Sequence, residues 1–146
     1  MLSVRQLEST DHAAWLGLWQ GYLAFYETVL ADELTALAWQ RINDPAFNLF
    51  GLIAELDGKP VGTTHYLFHH ATWSAGEYCY LEDLFVAPAA RKHGVGAALI
   101  AAVKVAATAR KASKLYWITH HHNATARKLY DAVATDSGFV QYQIKL

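Results

Sequence analysis

Tyr80-Leu81-Glu82-Asp83-Leu84-Phe85-Val86-Ala87-Pro88-Ala89-Ala90-Arg91-Lys92-His93-Gly94-Val95-Gly96-Ala97 decides the fold. An apolar, strand-like run is closed by Pro88. A basic triplet and two glycines follow, and from Val95 an apolar helical run begins. A helix start offers unpaired N–H groups and a partial positive charge, and glycines let a ligand approach the backbone closely. The junction therefore suits a phosphate group. Alone it also reads as a tight turn into a helix. A dinucleotide fingerprint would want a third glycine where Leu99 stands, and a nucleotide-triphosphate loop would want Gly-Lys-Ser/Thr, which is absent.

Outward from this junction the pattern is a single α/β domain spanning residues 1–146. Leu2–Leu7 reads as a strand. Thr10 or Asp11 caps a helix running to about Tyr26, with Trp15, Leu18, Trp19, Tyr22 and Phe25 on one face as core. A second helix covers Glu33–Ile42. Asn48–Leu56 and Val61–His69 form a hairpin through Asp57-Gly58. Glu77–Val86 is the fourth strand, Val95 to about Lys111 a buried helix, and Leu115–Thr119 a short strand. Asn123 caps a last helix that turns Ala126, Leu129, Tyr130 and Val133 inward, and Phe139–Ile144 alternates as a final strand. Such an order predicts a mixed, mostly antiparallel sheet of six to seven strands with about four helices and a βαβ unit in its second half.

Composition narrows the classes. With 12 basic and 13 acidic residues, a near-neutral balance argues against a nucleic-acid binder. No basic leader precedes a long apolar run, and the longest apolar helix is too short for a bilayer, so no membrane span is expected. A single cysteine, Cys79, excludes an internal disulfide and points to a reducing, cytoplasmic setting.

On these residues the chain resembles the GNAT superfamily of N-acetyltransferases. Arg91 to Ala97 fits that family's Arg/Gln-x-x-Gly-x-Gly/Ala loop, and Tyr80–Val86 its fourth strand. Asn123, Ala126 and Tyr130, followed by Gly138-Phe139, fit its last shared motif. The long gap before Gly138-Phe139, with Tyr116-Trp117, Ala126-Arg127 and Leu129-Tyr130-Asp131, is similar to the subgroup around yeast histone and polyamine acetyltransferases. Tyr80-Leu81-Glu82-Asp83 resembles diamine acetyltransferases. The resemblance implies acetyl-CoA as co-substrate. Its pyrophosphate would sit on the N–H groups of Lys92, His93, Gly94, Val95, Gly96 and Ala97 beside Arg91. Its pantetheine arm would pair with Leu84, Phe85 and Val86 in a cleft where the fourth and fifth strands splay, and would reach Asn123 near Ala126. A homodimer is implied as well.

The chemistry asked of the side chains follows from acetyl transfer to an amine. An alkylammonium has a pKa near ~10.4, so it must lose a proton before it attacks. Glu82 or Asp83 can take it; strand parity points them to opposite faces, and the diamine acetyltransferase resemblance favours Glu82. Tyr130, seven positions beyond Asn123, either packs as a core aromatic or serves the leaving thiolate. Asn123 suits both a helix cap and a contact to the arm. Glu27, Asp32 and Glu33 either cap helices or join Glu82 and Asp83 in an acidic mouth for a polyamine, amino acid or lysine side chain. Cys79 is read as packing, on the strand face opposite Glu82. His65, His69, His70 and His120-His121-His122 lack ligand spacing, so no metal is expected. A non-catalytic acyl-CoA-binding module of the same fold is the alternative function.

Overall fold

The computed structural model describes residues 1–146, which divide into two compact units, Met1–Tyr116 and Trp117–Leu146. The first unit holds a five-stranded sheet in sequential order: β1 (Leu2–Gln6), β2 (Phe50–Leu56), β3 (Lys59–His69), β4 (Tyr78–Val86) and β5 (Lys114–Tyr116). Before β2 come α1 (His12–Phe25) and α2 (Asp32–Ile42), and between β4 and β5 runs α3 (Val95–Ala109). β1 to β4 pair antiparallel and β5 is parallel to β4, which is the βαβ unit the sequence predicts.

Local chemistry explains the hairpin. Asp57 and Gly58 both take positive φ, 52° and 78°, and Leu56 pairs directly with Lys59. A two-residue turn with two left-handed positions matches the twist of the strands it joins, and Asp-Gly supplies both at low cost. The cap expected from Asp11 is not made at α1. Arg5 claims that carboxylate with two bonds, 2.8 and 2.9 Å, while Glu8 N–H donates to it at 2.8 Å. Arg5 also donates to Glu55 at 2.7 Å, tying β1, the turn before α1 and β2 together. This pairing holds the Asp11 carboxyl below its ordinary range.

Helices cover both faces of the sheet. α1 lays Trp15, Leu18 and Trp19 on one face, all buried. Trp19 Nε1 donates to Thr35 Oγ1 of α2 at 3.2 Å. Phe25 and Tyr26, expected in the same core, are 53% and 41% exposed because the last turn of α1 runs beyond the sheet's cover. α3 covers the other face through Val95, Leu99, Ile100, Val103 and Ala107.

In the second unit, α4 (Ala124–Val133) has its Asn123 cap, whose side chain accepts from Ala126 N–H at 3.4 Å. Ala126, Leu129 and Tyr130 are half-buried, whereas Val133 is 46% exposed against the inward expectation. The sixth strand is not formed. Residues 134–146 carry no regular structure, and Phe139, Val140, Tyr142 and Ile144 are 78–92% exposed. Alternation only makes a strand when a neighbouring edge takes its N–H and C=O groups, and no ladder reaches this segment. The sheet accordingly stops at five strands rather than six to seven. The strand expected at Leu115–Thr119 likewise ends at Tyr116.

Candidate active site

β4 is the axis of the site. Its ladder with β3 slips between His65 and Tyr66: His65 faces Asp83, Tyr66 faces Leu81, and Glu82 is the extra residue. Strict alternation would put Asp83 on the face of Cys79 and Leu81, opposite Glu82. The bulge overturns that expectation and turns both carboxylates toward the α1 and α2 side. Glu82 and Asp83 line one cavity of about 280 Å³ with His65, Asn48, Trp19, Phe47 and Leu67. Asn48 is held by Phe68, whose N–H it accepts at 3.0 Å and whose carbonyl it donates to.

The two carboxylates differ in their surroundings. Asp83 Oδ2 lies 2.9 Å from His65 Nδ1, and these side chains are only 17% and 3% exposed. Glu82 opens to solvent through the cavity, yet crowding around its carboxyl desolvates the charge and pushes its pKa up. The negative charge of Asp83 adds to the shift, and His65 opposes it weakly. Tyr80, near Glu82, is pushed up to about 12, first by burial and then by that carboxylate. Tyr116 is raised for the same reasons, and its hydroxyl lies 2.6 Å from His69 Nε2.

Beyond the carboxylates, β4 loses its second neighbour. β5 pairs only with Tyr78–Tyr80, so Leu84, Phe85 and Val86 have β3 on one side and no strand on the other. After Val86 the chain turns through Lys92 and Gly94, at φ 66° and 78°, into α3. The first amide to find a helical acceptor is Ala98, bonded to Gly94 O at 3.0 Å, so Val95, Gly96 and Ala97 have no carbonyl one turn back. Arg91 Nε donates to the Val86 carbonyl at 3.1 Å, and its guanidinium lies 5.6 Å from the Phe25 ring. Arg91, Lys92, His93 and Gly94 are all exposed. An open strand edge leading to a bare, positively charged helix start fits a long molecule with an amide-bearing arm and a pyrophosphate.

The sequence profile of the acetyltransferase (GNAT) family matches residues 12–134. The chain belongs to that family. It is 36% identical over 142 residues to a D-amino-acid N-acetyltransferase of Saccharomyces cerevisiae, covering 96% of this chain and 88% of that protein. It is also 27% identical over 123 residues to a thialysine N-epsilon-acetyltransferase of Caenorhabditis elegans, covering 84% and 76%. Among solved structures, an aminoglycoside acetyltransferase with a CoA-containing bisubstrate analogue shares its fold at a TM-score of 0.87, with 23% identity and 100% and 99% coverage. As a member of this family the chain is an acetyl-CoA-dependent N-acetyltransferase.

Of the other GNAT-motif residues, Asn123, Ala126 and Tyr130 lie in the second unit, where the Tyr130 ring meets Trp117 at 5.4 Å. Glu27, just past α1, and Glu33, in the first turn of α2, are exposed and do not line the cavity; neither does Asp32. Cys79 is fully buried, and burial pushes its thiol up to about 11, which suppresses the thiolate. No group of three or more His, Cys, Asp or Glu side chains is placed to hold a metal ion. No helix is long and apolar enough to cross a membrane. The residue the sequence hid is His65. It read as one histidine among many, because only the β3–β4 register brings it to Asp83.

Proposed function

We propose that this enzyme transfers the acetyl group of acetyl-CoA to the primary amine of a small cationic acceptor, by direct attack within a ternary complex. A polyamine, an amino acid or a lysine side chain fits the description. The observation that carries the reading is the β4 bulge, which gives one small cavity two carboxylates and no cationic Lys or Arg. A doubly anionic pocket favours an ammonium and fixes its position before reaction. The names of the yeast and nematode relatives, which specify amino-acid substrates, support the same class.

In this scheme Glu82 accepts a proton from the bound ammonium. Burial, with the charge of Asp83, raises its pKa and so narrows the gap to the amine. The freed nitrogen bonds to the carbonyl carbon, the carbon–sulfur bond breaks with the sulfur leaving as a thiolate, and the nitrogen gives up its second proton, which ends on that sulfur. N–H groups along Leu84, Phe85 and Val86 polarise the carbonyl and hold the arm. Tyr130 protonates or steadies the thiolate, a role that rests on its spacing from Asn123. Asn123 and Ala126 meet the arm, and Arg91 to Ala97 hold the pyrophosphate.

A panel of polyamines, D- and L-amino acids and basic peptides, followed by free-thiol release, tests the acceptor class. Turnover with at least one cationic small amine is expected, and turnover confined to neutral acceptors would sink it. Tyr130→Phe tests the acid, and full activity in that variant removes the assignment. We further propose that the chain works as one cytoplasmic N-acetyltransferase domain and as a homodimer. The exposed apolar side chains of Phe139, Val140, Tyr142 and Ile144 support the dimer, since such a row marks an interaction surface. A monomer by sedimentation at micromolar concentration would refute it.

A further inference from the structure

His65 sits where two kinds of hydrogen bond meet. The Trp15 indole N–H lies 2.9 Å from His65 Nε2, and Trp15 is fully buried. An indole nitrogen only donates, so Nε2 must be the accepting nitrogen. The ring proton then belongs on Nδ1, which donates to Asp83 Oδ2 at 2.9 Å. The ring cannot easily turn away. Its centroid lies 6.0 Å from Trp15 and 5.5 Å from Trp19, and those two indoles are nearly parallel, 5.8 Å apart. Trp39 closes the far side of Trp15 at 4.9 Å.

The charged and titratable groups around this histidine are few. Asp83 and Glu82 face it from β4, and Tyr22 and Tyr26 approach Asp83 from α1 and the residue after it. His65 thus places its N–H on Asp83 rather than on Glu82. A carboxylate clamped from the neighbouring strand, by a ring that a helix indole holds in turn, has a fixed direction, which is what docking an ammonium requires. Its neighbour Glu82 is exposed, so it can take a proton and hand it to solvent.

We propose that His65 is a positioning residue for the acceptor: locked by the Trp15 indole, it holds Asp83 as the fixed anion that docks the acceptor's ammonium and leaves Glu82 to take the proton. This rests on the amine-acetylating reading above. It divides the work between two adjacent carboxylates that the sequence leaves interchangeable.

The test combines spectroscopy and kinetics on the full chain. In uniformly ¹⁵N-labelled protein at neutral pH, long-range proton–nitrogen spectra should show the His65 proton on Nδ1 and a bare Nε2. A proton on Nε2 overturns the lock. His65→Leu should raise KM for the best amine of the panel about tenfold or more, the scale on which losing a hydrogen bond to a charged group is felt, with KM for acetyl-CoA unchanged. His65→Asn, whose amide N–H can replace Nδ1–H, should restore most of the loss. Equal damage in both variants, or a rise in both KM values together, would show a merely structural role. Should His65→Leu fail to fold, Asp83→Asn must raise the amine KM alone. Failure of the underlying reading looks different: the wild-type protein would then acetylate no amine although the tautomer is as described.

Discussion

The glycine loop at Arg91–Ala97 and the acidic cavity at Glu82 and Asp83 both hang on β4, yet they are built by opposite means. The loop works through backbone. Its donors are main-chain N–H groups, and its geometry comes from two left-handed residues, Lys92 and Gly94. The cavity works through side chains, and its geometry comes from one extra residue in a ladder. A backbone site tolerates many side-chain changes and fails when φ is disturbed. A side-chain site tolerates backbone neighbours and fails when one carboxylate changes. The difference teaches that the proposed donor end depends on backbone conformation, while the proposed acceptor end depends on particular side chains.

The largest expected effect lies in the cavity. Glu82→Gln should lower kcat by about 10²–10³-fold, the range for losing a general base, with little change in KM for acetyl-CoA. The pH profile sharpens this. Because the Glu82 pKa is raised above its ordinary value, the acid limb of kcat/KM in wild type should lie above that value and vanish in the variant. Stability should move the other way. A raised carboxylate pKa means the folded state holds its proton more tightly than the unfolded chain, so ionised Glu82 weakens the fold. The variant should melt higher than wild type at neutral pH, and the gap should close as pH falls below the ordinary carboxylate value. An unchanged kcat would move the base to Asp83 or to water and break the division of labour.

A smaller effect is expected at the loop. A Cβ added at Gly94 meets no neighbouring atom within 4 Å, so the cost of Gly94→Val comes chiefly from forcing a branched residue to φ 78°. KM for acetyl-CoA should rise about tenfold, in line with roughly 1–2 kcal/mol for a left-handed non-glycine residue. Amine KM should hold. A rise in amine KM instead would mean the two ends are not independent.

The smallest effect is expected from Cys79→Ala. Its side chain packs on the face of β4 that α3 covers, away from both carboxylates, with Arg110 the charge that touches its titration. Kinetics should be unaltered, and urea unfolding should show a loss of about 1 kcal/mol for the buried sulfur. A kinetic defect would reopen a role for the thiol.

Much of this was legible residue by residue. Asp57-Gly58 announces its turn, Asn123 its cap, and Gly94-Val95 its helix start, since each obeys a rule that acts within a few residues. Phe139–Ile144 misled, because a strand's alternation says nothing about whether an edge awaits it. Asp11 misled as well: its carboxylate is an able cap, but Arg5 and Glu8 reach it first.

The sequence by itself determined the donor. Glycines, basic residues and an apolar helical run are contiguous, and the backbone they dictate is the proposed binding element. Only the tertiary structure decided the cavity proposed for the acceptor. Trp15 meets His65 across 50 positions and His65 meets Asp83 across 18, so no local rule connects them. The bulge at Glu82 is likewise a property of two strands in register. That register turned two carboxylates predicted to point apart into neighbours in one cavity and gave one of them a fixed partner.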